Sequence, residues 1–200
     1  MTYWDPIPTV RAIIGSPLPQ WGPGRGPVRH DWSGPAGRGC HEWANRDWRS
    51  VPGPFYASET DTCWTGRECA PASVLYDDDG YCQEFVYRQP RTPREVYELI
   101  CAGECEIYGA YGGDGDAHWT PGLVRDWWRD RYRVREWAVA LDRTWSVSER
   151  ADYREAAGGA RAYVAHIDGD LEGYLRGYLF RLQEGRAARP GETLPGLGGA

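Results

Sequence analysis

The chain has 200 residues, a formal net charge of −6, 41% hydrophobic residues and 14% aromatic residues. That length suits one domain with a sizeable core, and the aromatic content excludes wholesale disorder. No run approaches the roughly 20 apolar residues of a membrane span, and residues 51–120 hold thirteen acids against four arginines, a poor match to the basic stripe of a nucleic-acid binder.

All 23 basic residues are arginine. With abundant Ala, Gly and Pro, this fits a GC-rich bacterial or phage genome. The start, Met1-Thr2-Tyr3-Trp4-Asp5-Pro6, lacks the basic region of a secretion leader, which predicts a soluble, cytoplasmic protein.

Residues 1–54 are dense in Pro and Gly, which predicts an extended arm without helix or ladder. Five of the 11 tryptophans lie there: Trp4, Trp21, Trp32, Trp43 and Trp48. Tryptophan offers a large apolar area and an N–H donor, so the arm is expected to pack on its own body or on a partner. Trp21, Trp32, Trp43 and Trp48 are its candidate binding residues.

Residues 55–185 are expected to form a single α+β domain. Ser73-Val74-Leu75-Tyr76 and Tyr81-Cys82-Gln83-Glu84-Phe85-Val86-Tyr87 flank Asp79-Gly80, a hairpin signal over 73–88. One or two further short strands are expected around Val51–Ala57. Thr92-Pro93-Arg94-Glu95 predicts a capped helix to about Gly103 or Cys105. Thr120-Pro121 predicts a second helix to about Thr144, with one apolar stripe through Val124, Trp127, Arg131, Val134, Ala138, Leu141 and Trp145. Its alternating charges, Arg125 to Glu136, read as a solvated face. Ser146-Val147-Ser148-Glu149 predicts the start of a third helix, weakened by Gly158-Gly159. A fourth carries Leu171, Tyr174, Leu175, Tyr178, Leu179 and Leu182 and stops at Gly185. Residues 186–200 read as a mobile tail. The fold expected is therefore α+β: an irregular arm, a small antiparallel sheet, and three to four C-terminal helices.

Two constellations have chemical potential. Glu59, Asp61, Asp114, Asp116 and His118 place carboxylates and an imidazole in loops, the groups an acid–base or cation site needs. They are the candidate catalytic residues of a hydrolase-like reading. Cys63, Cys69, Cys101 and Cys105 form two spaced pairs that tetrahedral zinc would need, although the first spacing is wider than usual. Reduced, small buried thiols are the plainer reading, and a disulfide is a further alternative. No Walker loop, Gly-x-Ser-x-Gly or His-Glu-x-x-His is present.

The leading expectation is a non-enzymatic protein-binding or assembly component with no cofactor. The alternatives are the loop-carboxylate enzyme and the thiolate zinc module. The expected partner is another protein, not a membrane or a nucleic acid.

Overall fold

A computed structural model of the protein describes residues 3–14, 42–78, 81 and 83–198. The fold is α+β, with α-helices and, among the described residues, two small antiparallel ladders. The chain divides into two compact units: residues of Asp5–Ala117, and residues of Met1–Trp4 with His118–Ala200.

In the first unit, α1 (Ile7–Ile13) lies inside the segment expected to hold no helix. Two local facts explain the difference. Pro8 falls in the first turn, where a helix needs no backbone N–H. Asp5 Oδ1 accepts the Ile7 N–H at 3.0 Å. Val10 is fully buried, and α1 packs on α3 (Pro93–Cys105).

The expected hairpin forms from β2 (Val74–Tyr76) and β3 (Glu84–Val86), paired Val74 to Val86, Leu75 to Phe85 and Tyr76 to Glu84. Asp77 N donates to Gln83 O at 2.9 Å, and Gln83 N donates to Asp77 Oδ1 at 3.0 Å. Asp79, Gly80 and Cys82 lie outside the described residues.

β1 (Tyr56–Ala57) pairs with β4 (Tyr111–Gly112), Tyr56 facing Gly112 and Ala57 facing Tyr111. The Pro-rich approach to β1 is buried from Val51 onward. It cannot supply a regular ladder, so Gln89 serves its backbone instead. The Gln89 amide donates to Val51 O at 3.0 Å and Phe55 O at 2.7 Å, and accepts from Phe55 N at 3.1 Å. The short α2 (Thr65–Cys69) packs on α3.

α3 begins as the sequence predicts: Thr92 Oγ1 accepts Glu95 N at 3.2 Å. Glu95 reaches back to Arg91 N, at 2.6 Å. Val96, Leu99 and Ile100, the spaced apolar positions, are fully buried.

The second unit contains three helices: α4 (Pro121–Trp145), α5 (Ala151–Asp168) and α6 (Leu171–Glu184). On the predicted α4 stripe, Val124, Val134, Ala138, Leu141 and Trp145 are buried. Trp127 and Arg131 are half-buried, and the Arg131 guanidinium lies 3.8 Å over the Trp128 ring. The serine-rich segment does not cap α5. Ser146 caps the C-terminus of α4 instead, donating its N–H to Asp142 O at 2.9 Å, and α5 starts later, at Ala151. Gly158-Gly159 does not break α5.

Arg135 pairs with Asp168 at 2.7 Å, and His166 Nδ1 lies 2.5 Å from Asp170 Oδ1. Tyr3 rests on Tyr174 and Tyr178, with ring centroids 5.7 and 5.4 Å away. Gly177 makes that approach possible, since a Cβ there would fall 2.7 Å from Tyr3 N. In the predicted tail, Leu197 is buried, Pro195 O accepts Arg176 Nε at 3.2 Å, and Gly196 O accepts Arg125 Nε at 3.3 Å. Among the described residues no helix is long and apolar enough to cross a membrane.

Candidate functional site

The β1–β4 ladder organises the first unit's polar residues by sending the two chains out at opposite ends. Beyond Ala57, Ser58 N donates to Ala110 O at 3.0 Å, and the segment 58–64 meets the turn 106–110. Beyond Gly112 the other chain returns over Pro54, where Gly115 N donates to Pro54 O at 2.9 Å. An antiparallel pair imposes this divergence. Glu59 and Asp61 therefore leave at one end, and Asp114 and Asp116 at the other.

The first end gathers three buried carboxylates, Asp61, Glu84 and Glu106. Glu106 stands at the C-terminus of α3. Its Oε1 accepts Asp61 N and Tyr108 N, each at 3.0 Å, and its Oε2 accepts Ala110 N at 2.7 Å. Asp61 Oδ1 accepts Cys63 N at 2.7 Å, and Oδ2 accepts Ile107 N at 3.3 Å. These two acids supply the acceptors that the loop backbone would otherwise find only in water.

Glu84 on β3 bridges the other elements. It accepts Gly66 N at 2.7 Å and the Tyr111 hydroxyl at 2.6 Å, while its own N–H donates to Thr60 Oγ1 at 2.8 Å. Gly66 has to be glycine here, because a Cβ would fall 2.1 Å from Glu84 Oε2. Burial raises the Glu84 carboxyl to about 7; its two hydrogen bonds oppose the shift, and Asp61 and Glu106 add to it. Tyr111 is pushed well above the usual phenol range by burial and by Glu84.

Two features mark the surface beside this cluster. Trp64 has φ 62°, the one non-glycine residue with positive φ among the described residues. Its ring stacks on Tyr76 at 4.4 Å, and its carbonyl accepts the Tyr76 hydroxyl at 2.7 Å. These contacts offset the cost of the left-handed backbone. Cys63, just before it, is exposed, and Asp61 holds its thiol above the ordinary range.

The second feature is the turn itself. Ile107 is 73% exposed and Tyr108 55% exposed. Both N–H groups are fixed from beneath, by Asp61 and Glu106, and Gly109 at φ 66° turns the chain back to β4. Two apolar side chains thus project from backbone that the buried acids hold in place.

At the opposite end, Tyr56 donates its hydroxyl to Asp114 Oδ1 at 2.8 Å. Burial and that carboxylate push the phenol up. Trp43 meets Tyr56 edge-on at 5.1 Å, and the Arg46 guanidinium covers Trp43 at 4.0 Å. Trp48 lies 5.0 Å from the Arg49 guanidinium, which pairs with Asp47 at 2.8 Å and Asp77 at 3.3 Å.

The candidate catalytic residues are thus dispersed. Glu59 is exposed, and Asp61 is occupied by loop N–H groups. Asp114 is bonded to Tyr56, Asp116 is half-buried in a 3-10 turn, and His118 belongs to the other unit. Of the candidate binding residues, Trp43 and Trp48 are half-buried, and Trp21 and Trp32 lie outside the described residues. Of the candidate metal ligands, Cys69 and Cys105 meet, their sulfurs 3.6 Å apart. Cys101 is half-buried one turn before Cys105, and Cys63 is exposed. Among the described residues no group of three or more His, Cys, Asp or Glu stands ready to hold a metal ion.

Glu84, Glu106, Ile107 and Tyr108 are absent from the sequence-based candidates. Glu84 reads as one polar position in an alternating strand. For the others a signal exists: Glu106-Ile107-Tyr108-Gly109 places an apolar pair between an acid and a glycine just past a helix end.

The chain matches no protein-family model, no curated protein and no solved structure.

Proposed function

We propose that the protein is a non-enzymatic binding or assembly component that recognises another protein through the Ile107–Tyr108 turn. One observation carries the reading: two exposed apolar side chains stand on backbone tied down by Asp61 and Glu106. Fixing a loop before association lowers the ordering cost of binding. Tyrosine is a favoured hot-spot residue, and exposed apolar surface of this kind marks contact sites. The half-buried Trp43, held between Arg46 and Tyr56, provides a second fixed aromatic of the type interfaces favour.

The carboxylates support this reading better than a hydrolytic one. Asp61 and Glu106 accept N–H donors on every oxygen, and Glu84 is 1% exposed. A general base has to reach its proton.

Site-specific photo-crosslinking in the source cells tests the proposal. A photoreactive group at position 108 should give one dominant protein adduct, lost when Ile107→Asp is added. A group at Val147, which is 81% exposed in the other unit, is the reference. Equal, diffuse labelling from both positions would overturn the reading.

A further inference from the structure

We propose that Cys69 and Cys105 form a reversible intramolecular disulfide that ties the end of α2 to the end of α3. Their sulfurs are 3.6 Å apart, and both residues are half-buried, within reach of a small oxidant. A disulfide needs about 2.05 Å, so the sulfurs must close by roughly 1.5 Å.

The helix ends that carry the two thiols are already placed. α2 is fixed at Gly66, whose N–H donates to Glu84 at 2.7 Å, and α3 runs directly into Glu106, which holds three backbone N–H groups. Of the neighbouring thiols, Cys63 is a poorer competitor, because Asp61 disfavours the thiolate that exchange requires.

The oxidant is a low-molecular-weight disulfide, RSSR. One cysteine thiolate attacks it, forming a mixed disulfide and releasing one thiolate, RS⁻. The second cysteine thiolate then attacks the protein sulfur of the mixed disulfide and expels the other RS⁻. Two cysteine thiols and one RSSR become one cystine and two RSH, so the protein is oxidised by two electrons and RSSR is reduced by two.

The bond would close a loop with its ends 36 residues apart, joining the two helix ends beside the carboxylate cluster. This inference is independent of the protein-binding reading, since it concerns the thiols alone.

The test treats the reduced full chain with glutathione disulfide, quenches with acid, alkylates and maps the peptides without reduction. The expected result is a linked peptide pair holding Cys69 and Cys105, with two of the six thiols lost. Cys101→Ser should keep the link. Cys69→Ser should lose it and leave Cys105 as a mixed disulfide. A link between other cysteines as the main product, or both residues remaining as thiols or mixed disulfides in a chain with unchanged helical circular dichroism, would overturn the proposal.

Discussion

Asp61 and Glu106 hold each other's loops. The Asp61 N–H donates to Glu106 Oε1 at 3.0 Å, and the Ile107 N–H, next in chain after Glu106, donates to Asp61 Oδ2 at 3.3 Å. Neither segment has a ladder partner at these positions, so the two carboxylates take the role a sheet would play.

Glu106→Gln tests that role. The amide retains one oxygen but presents N–H to a third donor, leaving a buried donor such as Ala110 N unsatisfied. Loss of such a group costs about 1–3 kcal/mol, more where the bond is charge-assisted. Urea denaturation followed by circular dichroism should show destabilisation of roughly 2–4 kcal/mol. A variant within about 0.5 kcal/mol of the parent would show that the bonds are dispensable.

Glu84 sets a pH dependence. Its carboxyl rises from 4.5 in the unfolded chain to about 7 in the folded one. Between those values the folded protein keeps a proton that the unfolded chain has released. Its contribution is therefore fully present below pH 4.5, declines as pH rises, and is lost above about 7. The change is on the order of 3 kcal/mol. Glu84→Gln mimics the protonated form, so urea midpoints measured from pH 5 to 8 should fall in the parent and lose that slope in the variant.

Cys63 should be a slow thiol despite its exposure. Asp61 raises its pKa, so at pH 8 less of it is thiolate than in an ordinary exposed cysteine. Iodoacetamide labelling resolved by peptide mapping should be slower at Cys63 than at a cysteine in an unfolded peptide. It should speed up in Asp61→Asn. A variant rate equal to the parent's would assign the slow reaction to another cause.

Two glycines should respond with opposite signs. A Cβ on Gly66 would fall 2.1 Å from Glu84 Oε2 and 2.3 Å from the Tyr111 hydroxyl, so Gly66→Ala must displace the buried pair. We expect a loss of more than about 2 kcal/mol. At Gly158, inside α5, the nearest atom is a flexible Arg161 nitrogen at 3.7 Å. There Gly→Ala should stabilise by about 0.5–1 kcal/mol through helix propensity. Thermal melts of the two variants check both signs.

Local signals were readable wherever chemistry and periodicity sit within one segment. Thr92-Pro93 and Thr120-Pro121 open helices because cap and proline act within a single turn. Gly185 ends α6 with φ 70°. Leu75 and Phe85 face each other in the predicted hairpin. Two helix starts depart from the local pattern for equally local reasons. α1 forms because Asp5 and Pro8 suit a first turn inside a segment dominated by helix breakers. Ser146, a good N-cap by type, is consumed by the end of α4.

The candidate site was less legible. Asp61 was visible as a loop acid, but its role depends on Glu106, 45 positions away. The acids of 51–120 read as one pool of charge, whereas the β1–β4 ladder sends Glu59 and Asp61 out at one end and Asp114 and Asp116 at the other.

By itself, the sequence determined the β2–β3 hairpin, the capped starts of α3 and α4 and the stop of α6, because those depend on neighbours within a few positions. Tertiary structure alone decided which acids are buried, which thiols meet and which side chains are left facing water. These depend on pairing between distant segments: β1 with β4, α2 with α3, Asp61 with Glu106. No local pattern encodes such pairing; it is selected by burying the apolar faces together while every buried N–H finds an acceptor.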